Sequence, residues 1–324
     1  MKNLTRKSIV LGAAMALTLF TLACGGGGGD GGGSVWTAVA NSTFGTGYIS
    51  AIAWGNGKFV AGSDNGKMAY SSDGITWTAV ANSTFGTDSI SAIVWGNNKF
   101  VAMGGNTAIK LAYSSDGINW TATTNNNNVF YYITWGNDKF ISGGSNGQMS
   151  YSSDGITWTA VTNSPFTGIN NHIQRIAWGN GKFVAWAMNG KISYSSDGIN
   201  WTAGTDSPLD SFLSNLVIAW GNGKFVAWAG DGTMAYSSDG STWTAVTSYS
   251  TDEHFMNSRA IAWGNNKFVV GGIDGHMSYS SNGINWTAAT NSTFGMDNIR
   301  AIAYGNGKFV AGGRGGKIAY WSGD

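Results

Sequence analysis

From residue 49 onward, apolar positions come in short blocks separated by turn residues. The blocks Ile49-Ser50-Ala51-Ile52-Ala53-Trp54, Lys58-Phe59-Val60-Ala61, Lys67-Met68-Ala69-Tyr70-Ser71 and Ile75-Thr76-Trp77-Thr78-Ala79-Val80 are divided by Gly55-Asn56-Gly57, Asp64-Asn65-Gly66 and Asp73-Gly74. Blocks this short, rich in β-branched and aromatic residues and bounded by residues that tolerate positive φ, predict four strands, a to d, joined by hairpin turns. Strand a lacks a clean polar alternation and should be buried on both faces. No helical period appears after residue 24.

This phrase returns down the chain. Its strand-a aromatic recurs at Trp54, Trp95, Trp135, Trp178, Trp220, Trp263 and, substituted, Tyr304, a period of 40 to 43 residues. A repeat of that length made only of strands and turns predicts a propeller. Strand-d tryptophans number six, at 77, 120, 158, 201, 243 and 286, against seven strand-a anchors. Val35-Trp36-Thr37-Ala38-Val39 is a fourth strand with no partners before it, and the chain ends at Lys317-Ile318-Ala319-Tyr320-Trp321 without a fourth strand. The expected fold is therefore an all-β, seven-bladed β-propeller of four-stranded antiparallel blades, closed by the N-terminal strand completing the last blade, which removes the open edges.

Composition agrees. The 324 residues include 50 Gly and 2 Pro, with 13% aromatic and 11% charged side chains, as suits many tightly turned strands around aromatic cores. The aromatics of strands a to d, with one Phe per connecting loop (Phe44, Phe85, Phe130, Phe166, Phe212, Phe255, Phe294), account for the interior, so no cofactor is called for. Formal net charge is +1; setting aside Lys2, Arg6 and Lys7 leaves 15 basic against 17 acidic residues. A body so nearly neutral argues against nucleic acid as a partner.

Residues 1–23 combine that basic start with an apolar run from Ser8 to Leu22 and end at Ala23, ahead of Cys24, the chain's single cysteine. This reads as an export signal whose apolar run is short for a membrane span. The cleavage point resembles the lipobox of bacterial lipoproteins, with Thr21 and Leu22 in relaxed positions. The resemblance implies a lipid on Cys24, a glycine-rich tether over residues 24–33, and a propeller over 34–324 held at a bacterial cell envelope.

The phrase Ser71-Ser72-Asp73-Gly74-Ile75-Thr76-Trp77 recurs at 114–120, 152–158, 195–201, 237–243 and, with Asn282 for Asp, 280–286. It resembles the Asp-box of sialidase-type propellers, shortened by one residue between Asp and Gly. The resemblance implies a structural turn, with short Ser and Asp side chains bonding the backbone and Trp packed beneath. Sialidases use an arginine triad, a Tyr-Glu pair and an Asp on six blades. Here Arg175, Arg259 and Arg300 begin strands a, and Tyr131 and Glu253 are present, but the Arg-Ile-Pro signature is absent and seven blades are expected.

The a–b and c–d turns belong to one face of the ring and barely vary between units; the b–c turns and d-to-a connections belong to the other and differ in length and chemistry. Such variation suits a recognition surface. The residues that break the repeat there are candidate ligand contacts: Tyr131, Tyr132, His172, Arg175, Trp186, Trp228, Tyr249, Asp252, Glu253, His254, Arg259, Arg300 and Arg314. Trp186 and Trp228 stand where other units mostly carry Gly; filling the gap between neighbouring blades is their alternative role. The spacing of His172, His254 and His276 fits no metal motif. The expected function is a monomeric, envelope-anchored module binding a glycan or protein at its variable rim, touching membrane through the lipid alone. A sialidase-like glycoside hydrolase and an envelope assembly scaffold are the alternatives. Cys24→Ser should move the protein from the membrane fraction to the soluble fraction; unchanged fractionation would remove the lipid anchor.

Overall fold

The computed structural model describes residues 35–123, 131–168, 171–209, 215–247 and 257–322. Every described residue belongs to one compact unit, Gly33–Asp324. That unit contains seven four-stranded antiparallel sheets. Six are built from four consecutive strands, as in blade 1 with Ile49–Gly55, Lys58–Ser63, Met68–Ser71 and Thr78–Ala79. In the seventh, Thr37–Ala38 lies beside Ile318–Trp321, followed by Lys308–Gly313 and Ile299–Gly305. The closing pair is in register at Thr37↔Tyr320 and Ala38↔Ala319, the Val39 N–H donates to the Ile318 carbonyl at 2.8 Å, and buried Trp36 lies 6.0 Å from Trp321.

The blades meet through glycine. The last residue of each strand a faces the strand-a aromatic of the next blade so closely that an added Cβ would lie 2.0–2.2 Å from its ring atoms. The series runs Gly55 to Trp95, Gly96 to Trp135, Gly136 to Trp178, Gly179 to Trp220, Gly221 to Trp263, Gly264 to Tyr304 and, closing the circle, Gly305 to Trp54. Within each hairpin the same aromatic packs on the strand-b Phe, as Trp54 does on Phe59 at 4.5 Å. Those Phe rings are fully buried.

The conserved face is stapled. Asn56, at φ 44° in the a–b turn of blade 1, donates its side-chain amide to the Ser115 carbonyl in the c–d turn of blade 2 at 3.0 Å. The same bond joins Asn97 to Ser153, Asn137 to Ser196, Asn180 to Ser238, Asn222 to Ser281 and Asn306 to Ser72. The least variable side chains of the repeat are thus occupied in holding blade to blade.

Strand d is shorter than its sequence predicts. Asp73 Oδ1 accepts from the N–H groups of Ile75 and Thr76 at 2.8 and 2.7 Å and from Ser71 Oγ at 2.8 Å, while the Trp77 indole donates to the Gly74 carbonyl at 3.2 Å. Those backbone donors are spent on the turn, so the ladder begins only at Thr78. In blade 6, Asn282 Oδ1 accepts the equivalent bonds from Ile284 and Asn285 at 2.9 and 2.8 Å, so an amide suffices to shape the turn.

Partial burial by itself would raise the carboxyl pKa of Asp73, Asp116, Asp154, Asp197 and Asp239, but the converging backbone and side-chain donors outweigh it and hold all five below the ordinary 3.8. A pKa depressed in the folded state gives stabilisation that is complete above the unfolded value and is lost as pH falls below it. The melting temperature should therefore be flat from neutral pH to about 5 and fall below about 4. Asp116→Asn should fold and show a shallower acid decline by circular dichroism; an unaltered decline would show that these carboxylates do not set acid stability.

Candidate binding site at the channel mouth

Each strand a begins on the face that carries the d-to-a connections, so its first residues ring one mouth of the central channel. A shallow well of about 210 Å³ lies there, lined by residues of all seven strands a. Blades 1 and 2 offer Ser50 and Ser91, whereas Tyr132, Arg175, Arg259 and Arg300 bring rings and cations to the same well. The repeat itself supplies this placement, because any residue at the start of a strand a is delivered to the axis.

The three channel arginines have different partners. The Arg175 guanidinium lies 3.9 Å from the centre of the Tyr132 ring, and its Nη1 donates to the Gln174 carbonyl at 2.8 Å. Arg300 approaches the Tyr48 ring at 5.1 Å, and Arg314, from the b–c turn of blade 7, approaches that ring at 5.5 Å. The Nε–H groups of Arg259 and Arg300 are buried and donate no hydrogen bond among the described residues. Burial first, and the neighbouring Arg300 charge second, lower the pKa of Arg259 below the ordinary guanidinium value. Among the described residues the ion pairs are Lys110–Asp88 and Lys317–Asp297, both at 2.8 Å, and neither involves an arginine. Two interacting like charges, with no ion pair to a carboxylate among the described residues, favour an anion between them.

The structure brings Tyr131, Tyr132, His172, Arg175, Arg259, Arg300 and Arg314 to this face. Tyr131 is 43% exposed and stands edge-on to His172, with ring centres 6.4 Å apart. Cys24, Tyr249, Asp252, Glu253 and His254 lie outside the described residues. Tyr48, absent from the sequence-based candidates, joins the site through its two arginines. Its signal was a local break in the repeat, since the loop Asn-Ser-Thr-Phe-Gly carries Tyr48 where the sister loops have Ser89 and Asn298.

Trp186 and Trp228 need correction as ligand platforms. Both are 0% exposed, and they pack edge-on against Trp243 and Trp286 of the following blades at 4.7 and 4.6 Å. Their role follows from an exchange of volume across the blade interface. In blades 1, 3, 6 and 7 the corresponding residue is Gly62, Gly143, Gly271 or Gly312, and the next blade fills the space with Ile90, Ile173, Ile299 or Ile49. Where blades 4 and 5 carry Trp, the next blade offers Asn215 or Ser258 instead.

No protein-family model and no curated protein matches this chain. Solved structures do resemble it. YCF48 from Cyanidioschyzon merolae is 14% identical with a TM-score of 0.66, covering 88% of this chain and 98% of its own. YCF48 bound to D1 peptide is 15% identical with a TM-score of 0.69, over 89% and 97%. A catalytically inactive virginiamycin B lyase from Staphylococcus aureus with quinupristin is 11% identical with a TM-score of 0.73, over 89% and 98%. At these identities the likeness is one of fold.

Trp228→Gly should cost roughly 3–5 kcal/mol of stability by leaving a cavity between blades 5 and 6. Adding Ser258→Ile should recover part of that loss in chemical denaturation. Simple additivity of the two losses would refute the exchange of volume.

Proposed function

We propose that the protein is a lipid-tethered binding module of a bacterial cell envelope, which takes an acidic segment of a protein partner at the arginine mouth on its variable face. The observation that carries this reading is the close pair Arg259 and Arg300, with buried Nε–H donors that no described residue accepts. A carboxylate placed between them accepts charge-assisted hydrogen bonds and relieves their repulsion. The opposite face has its turn side chains consumed by the staples, which leaves recognition to the loop-bearing side. The anchor rests on the sequence of residues 1–34, and YCF48 bound to D1 peptide supports the reading as a propeller of this fold that holds a peptide.

A glycan is the second reading, favoured by the exposed ring of Tyr131 beside the amide side chains of Asn106 and Gln174. Hydrolysis of a sialoside is a weaker fit, because the sialidase resemblance implies six blades and this ring has seven.

The test uses a fluorescein-labelled peptide containing several Glu residues and its Gln counterpart. Arg259→Ser/Arg300→Ser should weaken the Glu peptide roughly tenfold or more, equivalent to about 1.4 kcal/mol or greater, and leave the Gln peptide unchanged. Binding of the Glu peptide should also weaken as salt rises. A melting temperature equal to or above that of the native chain would show that the variant folds, and indifference of the Glu peptide to the substitution would overturn the reading.

A further inference from the structure

At the first residue of the b–c turn, blades 1, 3, 4, 5 and 6 carry Asp64, Ser145, Met188, Gly230 and Ile273, whereas blade 7 carries a cation, Arg314. The turn is fixed at its root. The Arg314 N–H donates to the Asn298 carbonyl at 2.9 Å, as the Asp64 N–H does to Tyr48 and the Met188 N–H to His172. The Arg314 side chain therefore leaves the backbone beside the start of strand a, on the face that carries the arginine mouth.

Arg300 arrives there by a bulge. The ladder between strands a and b of blade 7 shifts register between Ile299 and Ala301, which sets Arg300 out of the regular alternation. Blades 1 and 4 have the same kind of shift, and their bulged residues turn to the next blade: Ser50 donates its hydroxyl to the Ile90 carbonyl, and Gln174 Oε1 accepts from the Leu216 N–H at 3.3 Å. Arg300 turns likewise toward blade 1 and meets Tyr48. Tyr48 is locked in turn, donating its N–H to Asp64 Oδ1 at 2.8 Å and accepting the Asp64 N–H at its carbonyl at 2.9 Å. Asp64 is thereby engaged with backbone, and Asp297, ahead of strand a of blade 7, pairs with Lys317. The Tyr48 ring has two guanidiniums within 5.5 Å of its centre, those of the half-buried Arg300 and the exposed Arg314. Each cation gains from the ring and loses freedom to it, so a ligand finds the pair already placed.

We infer that Arg314, set by Tyr48, is a second anion station beside the mouth, and that the bound segment carries two carboxylates, one between Arg259 and Arg300 and the next on Arg314. Because Arg300 and Arg314 bear on one ring, the two stations are neighbours. An extended segment places side chains of one face at every second residue, roughly 6.6 Å apart at 3.3 Å per residue. That spacing suits a Glu-x-Glu or Asp-x-Asp order running outward from the axis across the boundary of blades 7 and 1. This inference rests on the protein-partner reading of the mouth and adds the number and spacing of the partner's charges.

The experiment compares the fluorescein-labelled peptide amide Gly-Glu-Ser-Glu-Gly with its two single Glu→Gln counterparts, by anisotropy titration against the folded chain. The native protein should prefer the two-Glu peptide to either one-Glu peptide by roughly fivefold, the worth of one favourable exposed ion pair. Arg314→Ser, at an exposed position that spares the core, should bring that ratio near one. Tyr48→Leu should do the same by freeing the cation, whereas Tyr48→Phe, which keeps the ring, should retain the preference. A ratio near one in the native protein, or a ratio that survives Arg314→Ser, would overturn the inference; loss of the preference in Tyr48→Phe would overturn the part given to the ring. The reading of the mouth fails separately, when Arg259→Ser/Arg300→Ser leaves a one-Glu peptide bound as before.

Discussion

The contact on which this structure depends is the seating of one strand-a aromatic against the bare backbone of the preceding blade's strand-a glycine. It recurs seven times, and the last instance, Gly305 against Trp54, joins the end of the chain to its beginning. Each blade is a small sheet that cannot bury both its faces alone, so its apolar residues gain only by lying against a neighbour. A glycine at the contact lets two backbones approach to the thickness of one indole, and this spacing is common to all seven interfaces. The N-terminal strand then removes the exposed edge of the final blade.

Closure also separates structure from recognition. Because six of the seven a–b turns donate an Asn amide to the next blade's c–d turn, one face is largely a circuit of internal hydrogen bonds with little chemistry to spare. On the other face, connecting loops plug the blades they leave with a buried ring, at Phe44, Phe85, Phe166 and Phe294 among the described residues. Where the plug is regular, as at Phe85 and Phe294, the loop is filled and held by a lysine; where the repeat breaks, rings and guanidiniums collect at the axis. The channel mouth gathers residues from all seven blades, so a single irregular residue in any strand a alters a site shared by the whole ring. A repeat protein can thus change its ligand without changing its scaffold.

Much of this was legible along the chain. The 40 to 43 residue period, the odd fourth strand at Val35–Val39 and the missing one after Trp321 define seven blades and their closure. The Ser-Asp-Gly-Trp turn was legible as a lock, although its demand on backbone donors shortens strand d to two ladder residues in blade 1. At the site, the arginines were visible as breaks in the repeat. Tyr48 was a single break in a loop that otherwise matches two sister loops and so escaped notice, and Leu209, buried in the loop leaving blade 4, was hidden because a leucine replaces the expected phenylalanine.

By itself the sequence determined the number of blades, their strand order and the face on which variation gathers. These follow from period and turn chemistry, which are local and repeat. Only the tertiary structure decided which irregular residues reach the channel mouth and which are filler. Trp186 and Arg259 both break the pattern, yet the first points into the gap between two blades, where the next blade has given up an isoleucine, and the second sits at the axis beside Arg300. That difference lies in volumes and charges contributed by neighbouring blades about 40 residues away in the chain, which no single repeat contains.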